Sequence, residues 1–275
     1  MDNKETLKQN NSRIDINNTD LSSILITINN LPVQKEIKLQ EKSITPSTEE
    51  QSITADEGYT GLSKVTVAGT ASAKITDAQY LFYNGARTDY VQEILALCEN
   101  LTNTSRMFYG CRDLENVDIS KLNTSNVTDM NNMFYACYAE ELDVSNFKTS
   151  NVTNMNNMFE YCVNITSLDV SNFDISNVTD ISRMFYSCRN LTSLDLSSFD
   201  TSKVTNMDRM FYDCKKLTKL DIRSFTFDNV TSYYNMFYNV PANCEIIVKG
   251  DTEKEWVLAR RSDLTNVKTV AELEV

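Results

Sequence analysis

The sequence predicts a β/α solenoid with a period of about 26 residues, preceded by a short N-terminal helix or coiled coil and a small β module. Three observations carry that reading. The pair Met-Phe recurs at Met107-Phe108, Met133-Phe134, Met158-Phe159, Met184-Phe185, Met210-Phe211 and Met236-Phe237, in steps of 26, 25, 26, 26 and 26 residues. A cysteine follows each of the first five pairs, at Cys111, Cys137, Cys162, Cys188 and Cys214. Ahead of Pro32, Leu7, Ile14, Leu21 and Ile28 stand seven apart. A fixed period of about 20–50 residues marks a stacked array, because one unit cannot bury its apolar side alone.

Residues 1–32 read as the helix. The positions three after the heptad residues hold Asn10, Asn17, Ile24 and Leu31, which gives a seam with two polar layers. That pattern describes an oligomeric coiled coil, with a trimer the favoured state. A single helix lying on the next domain and a frayed tail are the alternatives. Pro32 ends the element. Residues 33–75 read as a small β module for attachment to a particle. Ile37 and Leu39, and later Val65 and Val67, alternate with polar residues in a stretch punctuated by Pro46, Gly58, Gly61 and Gly69.

Residues 76–275 read as the solenoid with its caps. One unit runs ITSLDVSNFDISNVTDISRMFYSC from Ile165 to Cys188. Leu168, Val170 and Phe173 fall on one side and Asp169 and Ser171 on the other, the alternation of a half-buried strand. SNVT is a polar turn with one buried Val178. In the next unit Met207, Met210 and Phe211 have the i, i+3, i+4 spacing of a one- to two-turn helix. The one-residue deletion between Cys137 and Asp143 places a loop at 138–141. Leu81-Phe82 lies 26 before Met107-Phe108, so 76–106 reads as a degenerate N-terminal cap. At the other end, Ile247 replaces the exposed Asp221 of the preceding unit, so its strand is expected to be covered on both sides, by a helix over 251–261 that carries Trp256, Val257 and Leu258.

Composition removes several function classes. The 275 residues hold 38 acidic against 26 basic side chains, a net charge of -12, which disfavours a nucleic-acid partner. There is no histidine, so Ser-His-Asp and Cys-His catalysis and His-based zinc sites are excluded. No apolar run is long enough for membrane insertion. The first residues, Met1 to Thr6, lack the apolar core of a secretory signal. No constellation suggests catalysis, and the chain is read as a non-enzyme without a cofactor.

Two resemblances add context. The units SNFDISNVTDISRMFYSCRNLTSLDLSSF and DTSKVTNMDRMFYDCKKLTKLDIRSF resemble the BspA-type leucine-rich repeats of bacterial surface proteins, over residues 100–248. That resemblance implies a right-handed, leucine-rich-repeat-like solenoid used for binding, with no particular ligand. The stretch LQEKSITPSTEEQSITADEGYTGLSKVTV, residues 39–67, resembles a module of tail and minor structural proteins of phages that infect Gram-positive bacteria. Asp56, Gly58, Tyr59, Gly61, Leu62, Val65, Thr66 and Val67 carry the match.

Each repeated side chain forms a candidate ladder. Asp118, Asp143, Asp169, Asp195 and Asp221 would stand about 5 Å apart on stacked strands. They are read either as a strip for Ca²⁺ or another ligand, or, by preference, as carboxylates bonded to groups of a neighbouring coil. Tyr135, Tyr186 and Tyr212, with Tyr83, Tyr109 and Tyr238, follow each buried Phe, with Glu160 the exception. They offer flat contact area for sugars or proteins, or simply pack between coils. The cysteines read as small reduced core residues rather than disulfides or metal ligands. Asn-Val-Thr at 126, 151, 177 and 229 recurs with the repeat, and its side chains are expected to bond backbone between coils.

Together these readings describe a phage or prophage virion protein, of tail-fibre or baseplate type, assembled in the host cytoplasm and released by lysis. Residues 1–75 would bind other virion proteins, and the solenoid would bind a bacterial surface glycan or protein. The alternatives are a bacterial cell-surface adhesin and a purely structural head fibre or decoration protein.

Overall fold

A computed structural model describes residues 15–17, 39–44, 61–67, 72–79, 81–82, 95, 98–111 and 118–274. Strand β1 (Asp15–Asn17) pairs antiparallel with β4 (Ser72–Asp77), and β4 pairs parallel with β5 (Cys98–Asn103). Between them, β2 (Leu39–Ile44) pairs parallel with β3 (Gly61–Val67), so the two ends of the 39–67 stretch lie side by side. A parallel sheet of β6 (Ser193–Asp195), β7 (Lys219–Asp221), β8 (Glu245–Val248) and β9 (Val267–Thr269) follows in chain order.

Two expectations change in the first third. Residues 15–17 are strand where the heptad spacing placed helix. Asp and Asn are poor helix formers and Ile is β-branched, so this tripeptide gains more by pairing with β4 than by continuing a helix. The rest of the 1–32 heptad lies outside the described residues. The boundary drawn at 75/76 falls inside β4, whose pairing with β5 makes the first coil of the array continuous with what precedes it.

The array itself is held by parallel ladders. Single-residue parallel bridges run Asn103, Asp129, Asn154, Asp180, Asn206, Ser232, one per coil. Along the Leu-Asp segment the burial alternates as expected, Leu168 and Val170 inside and Asp169 outside, yet ladder-bonded strands occur only from Ser193 onward. The 138–141 segment is irregular backbone with a bend at Glu140, where the shorter coil loses its residue.

The Met-Phe segments are not helices. They are chains of β-turns in which alternate amides point along the coil and across it. Met184 N–H donates to Ile181 O (3.2 Å), Tyr186 N–H to Arg183 O (3.1 Å) and Cys188 N–H to Phe185 O (3.2 Å). The amides between them reach the next coil: Phe185 to Met210 O (3.1 Å) and Ser187 to Tyr212 O (2.7 Å). A helix would spend every amide within its own segment and leave neighbouring coils unbonded. The turns require left-handed backbone, and Arg183 (φ 53°) and Ser187 (φ 57°) supply it. Asn132, Asn157 and Asn235 hold the equivalent of the first position, and Gly110 and Asn239 that of the second, residue types that tolerate this region best.

The interior is one column. Phe82, Phe108, Phe134, Phe159, Phe185, Phe211 and Phe237 stack face to face, with ring centroids from 5.3 Å (Phe82–Phe108) to 6.1 Å (Phe185–Phe211). Such pairs add about 0.5–1.5 kcal/mol each beyond their burial. Leu81 and Phe82 join the column, as expected of the N-terminal cap. Beside it a hydroxyl column supplies polar bonds: Thr124, Thr149 and Thr201 each donate to a carbonyl of the next coil and accept that residue's amide, at 2.7–3.0 Å. Ile175 interrupts this column.

At the C-terminal end, helix α1 (Asp251–Arg260) buries Val257 and lays Trp256 flat on Phe227, centroids 3.8 Å apart. Ile247 is buried but stands apart from the core column, so β8 is covered on both faces. Strand β9 then adds one further rung, and a 3-10 turn at Val270–Leu273 closes on a capping box between Thr269 and Glu272.

Candidate binding surface

The turn segments present a continuous row of tyrosines. Tyr109 stacks on Tyr135 at 4.3 Å, Tyr186 on Tyr212 at 4.7 Å and Tyr212 on Tyr238 at 4.6 Å. Each of these rings follows a buried Phe, so the row stands just outside the core. Tyr135, Tyr186 and Tyr212 are half-buried, and Tyr238 at the C-terminal end is 46% exposed. The shorter coil carries Glu160 in the expected place. There Tyr161, one residue on, fills the gap with edge contacts to Tyr135 (5.5 Å) and Tyr186 (5.3 Å). It does so from left-handed backbone at φ 60°.

Glu160 turns inward instead and is 5% exposed. Desolvation lifts its carboxyl to about 7, against the pull of Arg183 and Arg209. Desolvation likewise raises the phenols of Tyr135 and Tyr186, the latter to about 12. Sequence reasoning found the tyrosine row and the exception at Glu160. It missed Tyr161, although a tyrosine adjacent to the exception was the available signal.

The aspartates sit elsewhere on each coil and bond within it. Asp118, Asp143, Asp169 and Asp195 accept the amides of Ser120, Ser145, Ser171 and Ser197 two residues on, at 2.9–3.1 Å. These are Asx-turns, which hold the polar corner after each Leu-Asp segment. The expected partner, a neighbouring coil, is corrected to the aspartate's own coil, because the chain turns too soon after Asp for the carboxylate to reach across. Serine bonds hold all four carboxyls below the usual carboxylate range. Asp221 differs: it is buried and takes a bidentate contact from the Arg223 guanidinium (2.9 and 3.0 Å to Nε). Among the described residues no group of three or more acidic, Cys or His side chains is arranged to hold a metal ion.

The repeated Asn and Thr bond between coils. Asn151 and Asn177 donate to Ser125 O and Ser150 O at 2.8 and 2.9 Å, and the Thr128, Thr205 and Thr231 hydroxyls reach carbonyls 26 residues earlier. All seven cysteines are buried.

Parallel rungs, a single stacked core and few helices define a repeat solenoid. Its coils differ mainly in what they show outward. The chain belongs to the family described as Mycoplasma protein of unknown function, DUF285, whose model matches twice in tandem, over residues 76–167 and 162–254. No curated protein matches the chain.

Proposed function

We propose that this chain is a structural protein of a phage or prophage virion, of tail-fibre or baseplate type, whose solenoid binds the host surface. The observation that carries the virion context is the 39–67 stretch, with its resemblance from Asp56 to Val67 to phage structural modules. Residues 1–75 then hold other virion proteins, in a trimer. The solenoid is of BspA, leucine-rich-repeat-like type with a coil of about 26 residues, its helices replaced by turns, and it acts by binding rather than catalysis. The contact surface is the tyrosine row, a strip of stacked rings along the turn segments. The aspartate ladder serves the turns.

A second reading is a cell-surface adhesin, favoured by the likeness of the repeats to those of bacterial surface proteins. A head fibre or decoration protein without a ligand is a third. Immunogold labelling with an antibody to the solenoid separates them: gold on purified particles supports the virion reading, and gold confined to the cell envelope overturns it. A glycan and surface-protein array then tests binding. Retention of wild-type chain that Tyr186→Ala plus Tyr212→Ala abolishes supports the tyrosine row, and no retention on any surface favours the purely structural role.

A further inference from the structure

A cleft of about 370 Å³ opens at the C-terminal end, between residues 233–238 of the last turn segment and the end of α1. Ligand pockets usually run from about 300 to 1,000 Å³, so this one suits a unit of one or two rings. Its walls are aromatic and cationic. Tyr233, Tyr234 and Tyr238 are the most exposed aromatic side chains of this end, at 38, 59 and 46%. The Arg260 guanidinium lies over the Trp256 ring at 4.0 Å and the Tyr233 ring at 4.6 Å, and Arg209 lies over Tyr234 at 4.8 Å.

These two arginines are held by rings rather than by acids. Arg260 donates only to Trp256 O, at 3.1 Å, and neither guanidinium makes an ion pair among the described residues. In a chain of net charge -12 this is unexpected. The acids at hand are already committed: Asp208 accepts from Tyr234 N–H and the Ser232 hydroxyl, and Asp263 is paired with Arg261. Arg261 is spent on structure, donating to the Phe237 and Val240 carbonyls. The Arg260 fork, with unused donors and beside the exposed Tyr234 and Tyr238 of the same cleft, describes a receptor for an anion carried on a flat, partly apolar body.

We propose that this cleft binds an acidic sugar unit: a pyranose ring packs on the exposed Tyr234 or Tyr238 through its C–H face while its carboxylate or phosphate is held by Arg260. The cleft meets the tyrosine row at Tyr238, and the inference holds whether or not the chain belongs to a particle.

Calorimetric titration of the full chain tests it, with four probes: an oligogalacturonate, its methyl ester, glucose 6-phosphate and a neutral malto-oligosaccharide. Trp256, the sole tryptophan, supplies a second readout by fluorescence. Binding of the oligogalacturonate or of glucose 6-phosphate, with a weaker response to the methyl ester and the neutral sugar, supports the proposal and identifies the anion by which of the two binds. Arg260→Gln weakens that binding at least tenfold, and raising salt weakens it further. Lys121→Gln removes an exposed cation from a distant coil and leaves the affinity unchanged. Equal affinity for charged and neutral probes, no binding of either anion, or full affinity in a folded Arg260→Gln chain overturns the proposal.

Discussion

The thiol of Cys188 donates to the carbonyl oxygen of Phe159, 29 residues earlier and 3.2 Å away. The same bond joins Cys111 to Phe82, Cys162 to Phe134 and Cys214 to Phe185, at 3.0–3.2 Å. Each cysteine therefore ties the end of one turn segment to the aromatic column of the coil before it. A thiol is small enough to fit there and supplies a weak donor where an alanine would supply none.

Those thiols are expected to be chemically silent in the folded chain. Burial pushes Cys214 up to about 12 and Cys188 well above its ordinary value, so almost no thiolate exists at neutral pH. An aromatic disulfide reagent at pH 7.5 labels none of the seven cysteines of native protein over minutes and all seven in guanidinium. Rapid labelling of Cys162, Cys188 or Cys214 in native protein would show that the coils open.

Truncating the aromatic column is expected to be costly. Phe185 is fully buried between Phe159 and Phe211. Phe185→Ala is predicted to destabilise the chain by about 3–5 kcal/mol in chemical denaturation. Because each coil touches only its neighbours, hydrogen exchange is expected to rise first in the coils on either side. A loss below about 1 kcal/mol would mean that the rings do not carry the stack.

Replacing one hydroxyl in the threonine column probes its polar bonds. Thr149 accepts the Asp174 amide at 2.7 Å and donates to its carbonyl at 2.9 Å. Thr149→Val keeps the shape and strands both groups, at a predicted cost of about 1–3 kcal/mol. Ser150→Ala, on the exposed corner next to it, is expected to stay within about 0.5 kcal/mol.

Glu160 gives a pH signature. Its carboxyl is raised from 4.5 to about 7, so the folded chain holds that proton more tightly than the unfolded chain does. The associated stability is complete below about pH 4.5 and fades as pH rises towards 7. Glu160→Gln removes that penalty. The variant is expected to match wild type at pH 4 and to exceed it at pH 8 by about 1–2 kcal/mol in urea titrations, allowing for partial solvent screening. Equal stabilities at both pH values would place the carboxyl in water.

Much of this architecture could be read from residue spacing. The Met-Phe pairs gave the core column, Leu81-Phe82 its first ring, and Ile247 with Trp256 the covered end. The turn segments could not be read so easily, since i, i+3, i+4 apolar spacing is met both by a helix and by successive turns. Asn, Gly and Ser recurring at 110, 132, 157, 187, 235 and 239 were the discriminating feature, because they tolerate left-handed backbone and are weak helix formers. The Asp-x-Ser spacing likewise announced an Asx-turn within one coil. The C-terminal cleft had no such signature. Tyr233 and Arg260 lie in segments of different type, and their contact depends on how α1 folds back on the last coil.

The tyrosine row has a consequence for any elongated molecule laid along it. Its rungs are chemically alike and nearly evenly pitched, and the shorter coil keeps the spacing by lending Tyr161 in place of Glu160. A polymer of similar pitch can shift by one rung and regain the same contacts, so it has many equivalent seats and slides among them. On the proposed reading of the row as the contact surface, it would act as a rail, holding a long chain while letting it travel towards the end where the stack stops.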